Sequence, residues 1–67
     1  MATIFDLAQA TKKARDASGV EVCTRAKSGR VQVGYMLGRK FIELSDPVSI
    51  DAAVAIMADI ERDKGLR

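Results

Sequence analysis

From Val20 to Leu44 the chain alternates apolar and polar residues with a period of two, and two short glycine-bearing turns interrupt the alternation. Val20, Val22, Thr24 and Ala26 alternate with Glu21, Cys23, Arg25 and Lys27; Val31, Val33, Tyr35 and Leu37 with Arg30, Gln32, Gly34 and Met36; Ile42 and Leu44 with Phe41 and Glu43. Ser28-Gly29 and Gly38-Arg39 both suit two-residue hairpin turns. Each turn dictates a register, and the two registers can be compared. The first pairs Lys27 with Arg30, hence Thr24 with Val33 and Val22 with Tyr35. The second pairs Leu37 with Lys40, hence Tyr35 with Ile42 and Val33 with Leu44. Both put the same residues on one face, whereas a one-residue slip in either hairpin would mix the faces. The pattern predicts a three-stranded meander whose inner face carries Val20, Val22, Thr24, Val31, Val33, Tyr35, Leu37, Ile42 and Leu44.

Helical spacing flanks the meander on both sides. Thr3 can cap a first helix, with Asp6 placed to complement its exposed N–H groups. Ile4, Leu7, Ala8, Thr11 and Ala14 form one stripe, opposed by Asp6, Gln9, Lys12, Lys13 and Asp16, and Gly19 is the expected left-handed stop. After Asp46-Pro47, Ser49 is the expected cap of a second helix. Its stripe is Ile50, Ala53, Val54, Ile56, Met57 and Ile60, and Gly65 is the natural stop. The expected fold is α+β, a single compact domain over residues 1–67 in the order helix, three-stranded antiparallel meander, helix (αβββα). One sheet face is apolar and the other mostly polar, which favours a two-layer sandwich with both helices on one face. One helix on each face is the alternative.

A chain of 67 residues buries only roughly 60% of its unfolded surface, so its stability margin is thin. Small scaffolds usually add disulfides, a metal or a partner subunit. Cys23 is the sole cysteine and there is no histidine, which rules out an internal disulfide and a Cys/His zinc site. No cofactor is indicated. Tight packing or self-association as a homodimer remains. A free thiol fits a reducing compartment. The start, Met1-Ala2-Thr3-Ile4-Phe5-Asp6, lacks the pattern of a signal peptide, and no stretch approaches a membrane span. The cytoplasm is therefore the expected location.

Catalysis finds little support. Without histidine the Ser–His and Cys–His nucleophile pairs are absent. Glu21 and Glu43 share the outer face, about 10 Å apart across the middle strand, on a flat surface with no cleft to desolvate them. The glycines match neither phosphate-loop spacing. Gly34 in the middle strand suggests a bend in that strand, or the close approach of another surface. Cys23, opposite it, has no activating group beside it in sequence, so inert packing is expected.

Two surfaces could bind. The outer face carries Met36 and Phe41 as a direct pair, with Cys23 diagonal and Gly34 adjacent, rimmed by Glu21, Glu43, Arg25 and Gln32. An apolar centre with a polar rim is the anatomy of a protein interface, unless helix or tail folds over it. The second surface is basic. The formal charge is only +2, but residues 24–40 hold five cations and no acid. Arg25, Lys27 and Arg30 decorate the first hairpin. Lys12, Lys13, Arg15, Arg39, Lys40, Arg62, Lys64 and Arg67 gather at the opposite pole, where cations at helix C-termini are expected on dipole grounds alone. Of the aromatics Phe5, Tyr35 and Phe41, two (Phe5 and Tyr35) are predicted to point inward, which leaves little for stacking on bases. The expectation is a non-enzymatic protein–protein binding module that uses the outer sheet face or an exposed edge strand, the first or the third, with weak nucleic-acid binding as the alternative. In format it is similar to phage- or mobile-element-encoded accessory proteins, such as inhibitors of host machinery working in the host cytoplasm. That likeness rests on no motif.

Overall fold

The computed structural model describes residues 1–65. Its elements are α1 (Ile4–Ser18), β1 (Val22–Lys27), β2 (Arg30–Leu37), β3 (Lys40–Glu43) and α2 (Ile50–Asp63). The strands form one antiparallel sheet in the order β1-β2-β3. Val22 pairs with Tyr35 and Thr24 with Val33 in one ladder, and Tyr35 pairs with Ile42 in the other, as the turns require. Ser28 and Gly29 both take positive φ, 52° and 76°, which is the type I′ signature. Gly38 alone is positive in the second turn, at 65°, as a type II′ turn needs.

Beyond Glu43 the chain stays beside β2. Val33 O accepts from Leu44 N–H and Ser45 N–H, and Val31 exchanges two backbone hydrogen bonds with Val48. Asp46 and Pro47 bulge out between these contacts, so proline never occupies a ladder position. The Ser45 hydroxyl accepts from Val33 N–H and donates to the Asp46 carbonyl, closing the bulge.

Thr3 and Asp6 make a reciprocal capping box on α1, and Gly19 ends the helix at φ 71°. Ser49 caps α2 through Ala52 N–H. The stop of α2 differs from expectation by one residue. Lys64, not Gly65, takes the left-handed conformation, at φ 56°, and Gly65 N–H closes back onto Ile60 O.

Both helices lie on the inner face of the sheet. They run side by side in the same direction: Ala2 N–H at the start of α1 donates to the Asp51 carboxylate in the first turn of α2. Further along, Ala10 and Lys13 face Val54 and Glu61 across a shared groove. The core is one cluster of Leu7, Ala14, Val22, Val33, Ala53, Met57 and Ile60. Alanines at Ala14 and Ala53, both fully buried, let the helices approach closely.

The two layers are offset. α1 rests on β1 and α2 on β2, and among the described residues no Cα of either helix comes within 8 Å of one in β3. This corrects the predicted apolar stripes at their margins. Ile4 is 73% exposed and Phe5 67%, although both were expected to face the core, and Ala8 is exposed as well. Leu37, an inner-face residue by register, is 65% exposed at the end of β2. The physical reason is width. Two helices cover roughly two strands, so α1 overhangs the edge of β1 while β3 extends beyond α2. No helix among the described residues is long and apolar enough to cross a membrane.

Candidate functional site

With both helices on the inner face, the outer face carries Cys23 and Arg25 from β1, Gln32, Gly34 and Met36 from β2, and Phe41 and Glu43 from β3. Met36 and Phe41 face each other as expected and both are half-buried. No helix among the described residues folds over them. The middle of the face is nonetheless far from a bare apolar island, because side chains from all three strands lock together there.

Arg25 is the centre of that arrangement. Its Nε donates to Gln32 Oε1 at 2.8 Å, and its NH2 donates to Glu43 Oε1 at 3.0 Å. Its guanidinium carbon stands 4.4 Å from the centroid of the Phe41 ring, a cation–π contact. Gln32 in turn donates through Nε2 to the Ser45 carbonyl. Gln32 is only 2% exposed, although a glutamine at an outer-face position reads as solvated rim. Arg25 covers it from one side and the Ser45 bulge from the other. No buried side-chain polar atom among the described residues lacks a partner.

Gly34 has a different explanation from the strand bend anticipated. The ladder passes through it without a break, pairing it with Cys23 and Glu43. A Cβ at Gly34 would lie 2.4 Å from the Ile42 carbonyl oxygen and 2.4 Å from the Phe41 ring. The glycine is there so that the Phe41 ring can lie across the middle strand, and Arg25 then stacks on that ring. The close-approach reading is the one the geometry bears out.

The other predicted site residues separate from this group. Glu21 is exposed, its carbonyl accepting from Met36 N–H, and it makes no pair with Glu43, which is held by Arg25. Burial pushes the Cys23 thiol above its ordinary value, with Arg15 opposing and Glu21 adding. Arg25 is drawn away from the basic hairpin into the outer-face network, leaving Lys27 and Arg30 exposed there. At the opposite pole Lys12, Lys13, Arg39 and Lys40 are exposed. Arg15 donates to the Val22 carbonyl at the sheet edge, and Arg62 pairs with Asp59 and Asp63. Arg67 lies outside the described residues. No group of three or more His, Cys, Asp or Glu side chains among the described residues could hold a metal ion.

Sequence reasoning placed Gln32 in the rim but missed its burial, and it missed Ser45 and the central part played by Arg25. The pairing of Arg25 with Gln32 was implicit in the first hairpin, and a long cation opposite a long amide was the available signal. Comparison with protein-family models, curated proteins and solved structures finds no match.

Proposed function

We propose that this protein is a non-catalytic protein-binding module that uses its outer sheet face. The observation that carries this reading is the Arg25–Phe41–Met36 group. An arginine and an aromatic, the residue types that dominate binding hot spots, sit on an open face beside a methionine. They are already fixed by Gln32, Glu43 and Gly34. Side chains ordered before binding lose less entropy when a partner arrives. The rim of Glu21 and Glu43 supplies polar selectivity around them. The partner is another protein met in the cytoplasm, consistent with an unpaired thiol at Cys23. An accessory protein or inhibitor encoded by a phage or mobile element fits this format.

The test is capture of a partner from an extract of the source cells by the tagged protein, repeated with Met36→Glu. Met36 lies half-buried on the open face and takes no part in the Arg25–Gln32–Glu43 hydrogen bonds, so the variant should keep the wild-type circular dichroism spectrum while losing the captured protein. Equal capture by both would refute the outer-face assignment. Weak nucleic-acid binding is the second reading, favoured by the exposed Lys27, Arg30, Arg39, Lys40, Lys12 and Lys13. It requires retention of DNA or RNA that falls steeply with salt and with Lys27 and Arg30 replaced.

A further inference from the structure

The free edge of β1 is unequally guarded. Met36 N–H bonds Glu21 O, so odd-numbered residues of β1 face β2 and the even ones, Val22, Thr24 and Ala26, turn their N–H and C=O groups to the open edge. At Val22 both groups are already used, the N–H by Val20 O and the carbonyl by Arg15. At Thr24 and Ala26 the outward groups have no partner among the described residues. Four main-chain groups therefore stand unpaired in a row.

Beside them lies a groove of about 370 Å³ between the edge and the overhanging face of α1, with Ile4, Ala8 and Thr11 on the helix and Cys23 and Thr24 on the strand. α1 thus presents apolar surface over the place where a fourth strand would lie. Ile4 at 73% exposure is the clearest sign of that unfilled space.

Charge decides the occupant. Two copies pairing antiparallel through the four open groups would oppose Arg25 to Arg25 and Cys23 to Lys27, and like charges directly opposite are destabilising. A register matching Glu21 to Lys27 would need the Val22 groups already taken. The cations that repel a second copy attract carboxylates: Lys27 projects exposed on the outer side of the strand, Arg25 keeps its Glu43 ion pair but is itself 44% exposed there, and Lys12 and Arg15 border the groove.

We infer that β1 accepts an extended segment of another protein as a fourth, antiparallel strand, in which acidic and apolar residues alternate. Acidic residues lie opposite Lys27 and Arg25 on the outer side. The apolar residues between and beyond them lie opposite Ala26 and Thr24 and rest on Ala8 and Ile4. Main-chain hydrogen bonds to Thr24 and Ala26 supply the attachment and the alternation supplies selectivity, as in strand addition generally. The edge shares Arg25 with the outer-face group but neither Met36 nor Phe41, so the inference goes beyond the outer-face reading.

The experiment is selection from a displayed random decapeptide library on the immobilised wild-type protein. The expected result is enrichment of peptides with alternating acidic and apolar residues. A synthetic enriched peptide should shift the Thr24 and Ala26 amide resonances. Ala26→Pro removes one outward N–H and leaves the β1–β2 ladder intact, since proline is accepted where the N–H faces away from the sheet. It should weaken the peptide about tenfold or more, in line with loss of a main-chain hydrogen bond. If Ala26→Pro does not fold, Ile4→Glu, at an exposed position, must produce the loss instead. Met36→Glu should leave peptide affinity unchanged, which separates failure here from failure of the outer-face reading. Enrichment without the alternation, no enrichment, or binding that survives a folded Ala26→Pro would overturn the inference.

Discussion

Gly34 and Arg25 define each other through the Phe41 ring that lies between them. Gly34→Ala would place a methyl group 2.4 Å from a backbone carbonyl that cannot move without disturbing the β2–β3 ladder. Overpacking of this kind costs about 1–3 kcal/mol, outweighing the gain of up to about 1 kcal/mol that replacing a strand glycine usually brings. Urea denaturation should therefore show Gly34→Ala to be less stable than wild type. Arg25→Ala should cost about 1–2 kcal/mol by the same measurement. The ion pair with Glu43 is partly exposed and contributes little; most of the loss comes from leaving Gln32 Oε1 buried without its donor. Replacing Glu43 alone should accordingly cost much less. Cys23 makes a pH prediction. Its thiolate is disfavoured mainly by burial, so alkylation at neutral pH should be slower than for a free cysteine and should accelerate only above the ordinary thiol range. Rapid labelling at pH 7 would contradict this assignment.

At the scale of elements, the two hairpins carry the fold and were the most legible part of the chain. Their turns are independent signals whose registers agree in parity, which leaves little freedom for an alternative pairing. Ser28 sits at φ 52° where asparagine is the preferred type I′ residue. Ser28→Asn should raise stability by several tenths of a kcal/mol and move the urea midpoint up with no change in slope. α1 was legible as a helix, with both of its caps, but not in its rotation. Ile4, Leu7, Ala8, Thr11 and Ala14 read as one stripe, and only the packed layers show that Leu7 and Ala14 go to the core while Ile4 and Ala8 overhang β1. The burial of Gln32 escaped notice for a related reason. Its burial comes from Arg25 and a bulge at Ser45, contacts that a period-two pattern does not encode.

For the whole molecule, the offset between helices and sheet sorts the apolar residues into those that hold the fold and those left for partners. Met57 is fully buried, and Met57→Ala should cost about 2–5 kcal/mol, a large part of the stability of a chain this small. Ile4→Glu and Met36→Glu should each cost well under that, because Ile4 projects past β1 and Met36 lies on the open face. Oxidative footprinting tests the outer-face assignment most directly, because the chain contains its own standards. Met1 is fully exposed and Met57 fully buried, so their rates bracket that of Met36. Alone, the protein should oxidise at Met36 at a rate between the two. In an extract of its source cells, Met36 and Phe41 should become protected while Met1 does not. A Met36 rate that stays unchanged in an extract from which the protein captures a partner would contradict the assignment of the outer face as the binding surface.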